Sequence, residues 1–305
     1  MTVVPVVPRG SERITGGSSS GTGASVAARA NFAGLGSDTG GSIRLPAAMC
    51  GTSAIKPTYA RVSRAGAMPL SHSLDTVGPL TRTVEDAALI AQLISGPDPR
   101  DPTCDPRPVP NWVNEIEKPV KGLRVGRPRQ HFYDECDPQI AAAMGASLEA
   151  FGRLGAKIVE VDLPELTAYS AAAVFISTAE AATLHREWLR TRADDYSDQV
   201  RGRLMQGLAI PATAYIDALR LRGTALAEFC AQVFSKVDLL HAPVLGIATP
   251  TIAETELGWS ERTAAVLARI TRLTRPGSYG YYYYSRYGYY YRDDEKTATP
   301  KESAG

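Results

Sequence analysis

The chain has 305 residues, 44% of them hydrophobic and 21% charged, which is enough apolar content for a buried core and excludes a wholly disordered chain. Its 33 Lys and Arg stand against 32 Asp and Glu, a net charge of +1. Direct binding to nucleic acid or to an anionic membrane needs a basic excess that is not there.

The length suits one large domain or two ordinary ones. Cys50, Cys104, Cys136 and Cys230 lie far apart with no C-x-x-C, and His72, His131, His185 and His241 are equally scattered. The cysteines read as thiols in a reducing compartment, and neither a metal nor a cofactor is expected. No basic-then-apolar leader opens the chain and no 18-residue apolar run occurs, so the expected location is cytoplasmic, off the membrane.

In chain order, residues 1–15 are a Pro/Val lead-in and residues 16–81 are rich in Gly, Ser, Thr and Ala. Residues 82–275 read as ordinary α/β sequence, and 277–305 are low in complexity. Thr83 with Asp86 three residues on predicts a helix start over Ala87–Ile94, stopped at Gly96-Pro97. Pro97–Pro110 holds six prolines and predicts a surface loop. Asp137 and Pro138 open a helix through Leu154, closed by Gly155. Apolar periodicity predicts further helices at about 170–192 and 212–235. Gly122–Val125, Lys157–Val161 and Val237–Val244 read as short buried strands. The alternation predicts an α/β fold, a partly parallel sheet sandwiched by helices.

The chemistry sits in the Gly/Ser-rich stretch. Fourteen of the 27 residues from Gly16 to Ser42 are Gly or Ser. A flexible linker would read this way, but ASVAARANFAGL interrupts it with small apolar residues at helical spacing. Thr39-Gly40-Gly41-Ser42 can aim successive backbone amides at one point, because Gly lets a ligand approach the chain. Such donors stabilise a developing oxyanion by roughly 2.7–4 kcal/mol each, and a Ser at the end of the run can attack the carbonyl held there. A phosphate-cradling loop and plain structural turns remain open beside the acyl-transfer reading. The phosphate reading lacks the Gly-Lys pair of G-x-x-x-x-G-K-[ST].

The combination G-G-S-S at Gly16–Ser19, D-T-G-G-S-I-R at Asp38–Arg44 and K-P-T-Y at Lys56–Tyr59 resembles the amidase signature family, and the likeness runs from about Gly16 to Thr103. VDLLHAPV at Val237–Val244 is similar to a recurring strand and loop of these enzymes. The resemblance implies the amidase-signature α/β fold, a mixed sheet between helices, over residues 1–276. It implies a Ser–Ser–Lys triad with Ser42 as nucleophile and Ser18, preceded by a cis peptide bond, as proton relay. By the same resemblance the amides of Thr39, Gly40, Gly41 and Ser42 form the oxyanion hole. Asp38 and Arg44 buttress the loop, and Ser19 and His72 border the substrate cleft together with Ser71 and Ser73. A lysine of lowered pKa serves as base, since desolvation favours the neutral amine. Cys50 is expected as a core thiol. Asp75 and Thr76 can steady the cleft wall, and Glu180 and His185 read as surface or core-edge groups.

Two departures follow. The family's base precedes G-G-S-S by several tens of residues, whereas only 17 residues precede Ser18 here and none is Lys; the first is Lys56, which the family uses structurally. The catalytic Lys is therefore expected to be missing, along with the segment that carries it. The end differs too. Nine of the 14 tyrosines fall between Tyr279 and Tyr291, in a run resembling the Tyr cluster of bacterial polysaccharide tyrosine autokinases, and 277–305 is read as a separate tail. The fold is thus expected to be incomplete at both ends, with exposed sheet edges that favour a homodimer or other self-association.

Three functions compete. One is an amidase that takes a small-molecule amide to a carboxylate and ammonia through an acyl-Ser42 intermediate. Another is the A subunit of a glutamine-dependent tRNA amidotransferase, which uses the same chemistry and hands ammonia to a partner. The last is a catalytically dead remnant.

Overall fold

The structure is a computed structural model, and it describes residues 12–255 and 261–278. The first half is built on small residues. Helix α1 (Ser20–Ala27) lies on α2 (Arg44–Cys50), close enough that a Cβ on Gly23 would sit 3.0 Å from the Pro46 side chain. Strand β1 (Ala33–Asp38) leads into α2, followed by β2 (Ser53–Ala54) and β3 (Thr76–Thr81). These strands form an antiparallel sheet in the order β1-β3-β2, with Ala33 opposite Thr81 and Asp38 opposite Thr76. Gly78 of β3 is required by crowding, since a Cβ there would lie 2.1 Å from the Ile55 carbonyl oxygen. Ile43, Ala47 and Leu80 fill the space between this sheet and α2, so the end of β1 and the start of α2 are set in the core.

Helix α3 (Val84–Ile94) begins as the sequence predicts: the Thr83 hydroxyl accepts from the Asp86 amide at 3.1 Å. The Pro97–Pro110 loop is pinned rather than loose. Arg61 pairs with Asp105 and Arg64 with Asp101, and the Ser63 hydroxyl donates to Asp98 at 2.7 Å.

The second half contains α4 (Trp112–Ile116), β4 (Arg124–Pro128), α5 (Pro138–Arg153), β5 (Lys157–Val161), α6 (Thr167–Thr191), α7 (Asp198–Leu208) and α8 (Ala212–Phe229). Helix α8 continues into a π-turn at Cys230–Phe234, before β6 (Leu239–Leu240), α9 (Ile252–Thr255) and α10 (Glu261–Thr271). Strands β5-β4-β6 form a wholly parallel sheet. Asp137 caps α5 by accepting from the Gln139 amide at 2.8 Å, with Pro138 in the first turn, and Gly155 ends the unit at φ +90°.

The α/β class and the presence of both strand senses match the sequence expectation. Among the described residues the two senses are segregated into one antiparallel and one parallel three-stranded sheet. The strand expected over Val237–Val244 shrinks to Leu239–Leu240. The Asp238 carboxylate, rather than more ladder, takes the Arg124 amide at 2.7 Å and its guanidinium at 2.6 Å. Helix α7 was not foreseen. It lies against α6 so closely that a Cβ on Gly207 would stand 2.2 Å from the Thr178 oxygen.

Candidate active site

The loop between β1 and α2 is organised by one carboxylate. Asp38 is 1% exposed. Its Oδ1 accepts from the Gly41 amide (2.8 Å) and Arg44 Nη2 (2.8 Å). Its Oδ2 accepts from the amides of Ile43 (3.0 Å) and Arg44 (3.2 Å) and from Arg44 Nε (3.0 Å). Burial alone would raise the Asp38 carboxyl; the adjoining Arg44 guanidinium and these hydrogen bonds outweigh it and hold the group well below the usual carboxylate range. The five bonds wrap the chain around the carboxylate, which leaves Ser42 at the mouth of α2, half-buried.

Of the four amides expected to line an oxyanion hole, that of Gly41 is committed to Asp38. Among the described residues, the amides of Thr39, Gly40 and Ser42 donate to no protein group. Open space lies on the Gly40 side, where a Cβ would meet nothing within 4 Å. Gly41 is different. Its φ is +140°, and a Cβ there would lie 2.5 Å from the Thr274 hydroxyl, so only glycine fits.

The G-G-S-S segment reaches the same place. The peptide bond between Gly17 and Ser18 is cis. The Ser19 amide donates to the Ser42 carbonyl at 3.1 Å, and the Ser19 hydroxyl to the Ser37 carbonyl at 3.3 Å. Ser18 is exposed and adjoins the residue bonded to Ser42.

Sequence reasoning missed the residues that clamp the loop from far along the chain. The Thr274 hydroxyl donates to the Gly40 carbonyl at 2.7 Å. Arg44 donates from Nη1 to the Thr274 carbonyl and from Nη2 to the Ser278 hydroxyl, both at 2.8 Å. No local motif marks Thr274 or Ser278; the signal that bears on them is Arg44 itself, a cation with more donors than Asp38 can accept.

The remaining expectations divide. Asp75 and Thr76 touch the site: Asp75 Oδ1 accepts from the Thr39 hydroxyl at 2.5 Å, and the Thr76 hydroxyl donates to the Asp38 carbonyl at 3.1 Å. His72 has an exposed side chain, and its carbonyl accepts from Tyr59 Oη (2.8 Å) and Arg64 Nη1 (2.6 Å). Ser71 is fully buried, and its hydroxyl donates to Glu180. Glu180 itself is 7% exposed, so of the surface and core-edge placements expected it takes the inner one. His185 accompanies Tyr196 at 2.8 Å, away from this loop. Cys50 is buried. Lys56 is partly buried and donates to the Pro57 carbonyl at 3.0 Å; burial, with the nearby Arg44 charge, lowers its amine to about 8 although Asp38 pulls the other way. A cavity of about 930 Å³ opens between Arg13, Asp137, Pro250 and Arg269, and none of the expected site residues lines it. Among the described residues no group of His, Cys, Asp and Glu could hold a metal ion. The Tyr-rich run lies outside the described residues.

Known proteins resemble this chain over most of its length. It is 39% identical over 273 residues to the A subunit of the glutamyl-tRNA(Gln) amidotransferase of Akkermansia muciniphila, a match that spans 82% of this chain and 58% of the relative. It is 40% identical over 257 residues to an amidase of Pseudomonas putida, spanning 84% of this chain and 55% of the relative. A solved structure from a vestigial protein complex bearing on the origins of an s-triazine catabolic enzyme superposes with a TM-score of 0.80 at 34% identity. That match covers 90% of this chain and 60% of the other. The chain thus spans little more than half the length of the curated relatives it matches. The model of the Amidase family matches residues 2–279, and the chain belongs to that family.

Proposed function

We propose that this chain carries the nucleophile and the anion-stabilising loop of an amidase-type hydrolase acting on a small-molecule amide. The observation that supports it is the convergence at Ser42. Ser42 lies just before α2, at the end of a run in which the amides of Thr39, Gly40 and Ser42 have no protein acceptor among the described residues, and the Ser19 amide ties the cis-linked Ser18 segment to its carbonyl.

In this reading the Ser42 oxygen attacks the amide carbon while the carbonyl oxygen turns toward the amides of Thr39, Gly40 and Ser42. Ser18 takes the Ser42 proton and passes it on, and the leaving nitrogen departs as ammonia once protonated. Water then releases the carboxylate and restores Ser42. The base behind Ser18 is a lysine amine that the described residues do not place there; Lys56 is engaged with Pro57 and serves the loop structurally. No cofactor enters the scheme.

The near-equal identity to an amidase and to an amidotransferase component supports a second reading, in which the released ammonia passes to a partner protein. A cytoplasmic setting suits either, and among the described residues no helix is long and apolar enough to cross a membrane. Among the described residues strand β1 pairs only with β3. Its outer edge is partly covered by α1, where Thr22 and Ser19 donate to the Leu35 and Ser37 carbonyls, and Phe32 beside it is 84% exposed. That exposed apolar side chain at the strand's start supports self-association.

A fluorophosphonate probe tests the proposal, because it marks only an activated serine. Labelling that disappears in Ser42→Ala and weakens in Ser18→Ala is the expected outcome. A folded chain that takes no label refutes activity and favours the dead-remnant reading.

A further inference from the structure

Two buried carboxylates grip the turn Leu70–Asp75 from opposite sides. On the loop side, Asp75 Oδ2 accepts from the amides of Leu70 (2.7 Å) and Ser71 (2.8 Å), and its Oδ1 accepts from the Thr39 hydroxyl (2.5 Å). On the helix side, Glu180 of α6 uses Oε2 to accept from the Ser71 hydroxyl (2.5 Å) and the Ser73 amide (3.0 Å). Its Oε1 accepts from Tyr215 Oη of α8 at 2.8 Å. Ser71 is the hinge between the two, giving its amide to Asp75 and its hydroxyl to Glu180. Thr39, Ser71, Asp75 and Glu180 are each buried, so water cannot replace a lost partner without opening the core.

The protonation states agree with this direction of donation. Burial alone would raise the Glu180 carboxyl, but the bonds from Ser71, Ser73 and Tyr215 hold it below its ordinary value. Burial and the same carboxylate push the Tyr215 hydroxyl up to about 12, so it stays a donor.

The geometry points to Glu180 as a positioning residue for the nucleophile loop: through Ser71 and Asp75 it fixes the Thr39 hydroxyl, and with it the run of amides ending at Ser42. Glu180 lies 109 residues beyond Ser71 in sequence and touches no reacting atom. It sets where the 70–75 turn sits, and that turn sets Thr39. Asp75 is held at one end by Thr76 of β3, opposite Asp38, and Glu180 holds the other side of the turn through Ser71 and Ser73. The catalytic meaning of this link rests on the hydrolase reading above; the link itself does not.

Backbone amide exchange by NMR tests it without needing activity. The Gly41 and Ile43 amides report the loop, and Val125 in β4 reports the distant parallel sheet. Glu180→Ala and Ser71→Ala are each expected to speed exchange at Gly41 and Ile43 at least about tenfold while Val125 is unchanged. Glu180→Gln is expected to restore near-wild-type exchange. Its amide oxygen can still accept from Ser71 and Ser73, while its NH2 group donates to the Tyr215 oxygen. No change at Gly41 and Ile43, or an equal rise at Val125, overturns the inference. If Glu180→Ala does not fold, Ser71→Ala decides, because it keeps the carboxylate and its bonds to Ser73 and Tyr215. Fluorophosphonate labelling is scored separately: a selective rise in a chain that never labels refutes the hydrolase reading and upholds the positioning link.

Discussion

Asp38→Asn should loosen the loop more than any exposed charge change. The carboxylate accepts five hydrogen bonds, two on Oδ1 and three on Oδ2. An asparagine has one oxygen, so whichever way its amide turns, at least two donors face an NH2 group. Arg44 then keeps its charge without a counter-ion. Removing one partner of a buried ion pair costs about 3–5 kcal/mol. The Arg44 side chain retains 19% exposure, which places the cost near the lower end, about 3 kcal/mol. For a domain of this size that lowers Tm by roughly 5 °C.

The assay is urea unfolding followed by circular dichroism, with Glu187→Gln as the control. Glu187 pairs with Arg190 in the open, and its loss should leave the midpoint unchanged. The pH dependence adds a second check. The folded Asp38 carboxyl lies below its ordinary value of 3.8. Its contribution is therefore complete above that pH and lost as pH falls toward the folded value. The stability gap between wild type and Asp38→Asn should be constant at neutral pH and narrow only on the acid side of 3.8. A loss below about 1 kcal/mol at neutral pH, the size of a surface pair, would refute the reasoning.

Two further outcomes are expected. Gly41→Ala should destabilise the chain by about 1–3 kcal/mol, since it meets both a positive φ and the Thr274 hydroxyl. A matching loss in Gly40→Ala, where the space is open, would show that the contact is not the cause. Lys56 is held near 8 against an ordinary 10.5, so between these values the unfolded chain binds a proton that the folded chain has shed. Stability from this group should rise with pH across that window. Lys56→Met should flatten the rise in the urea midpoint, and an unchanged slope would exclude Lys56 as its source.

Local punctuation was legible in the sequence wherever one residue type solves one local problem. Thr83, Asp137 and Pro138 start helices and Gly155 ends one because orphan amides and a left-handed backbone leave few choices. The motif at Asp38–Arg44 was legible by resemblance, and the reason for it is now visible: one carboxylate organises five donors within six residues. What stayed hidden was long-range. Thr274 and Ser278 join the loop from more than 230 residues away, and Glu180 sits on a helix whose periodicity says nothing of which turn it will meet. The separation of antiparallel from parallel strands was also hidden, because two-residue strands such as Ser53–Ala54 and Leu239–Leu240 carry no pattern of their own. Helix α7 escaped because its DQVRGRLMQGL sequence buries only Leu204 and Gly207.

The reach from Arg44 to Thr274 has a meaning in time as well as space. The two ends of that clamp are 230 residues apart. At about 5–20 residues per second, a ribosome takes on the order of 10–50 s to make the chain between them. For that interval the nascent polypeptide carries Ser42 and its glycines with Asp38 beside them but without the distant Thr274 and Ser278 that clamp them. The loop emerges well before the residues that finish it.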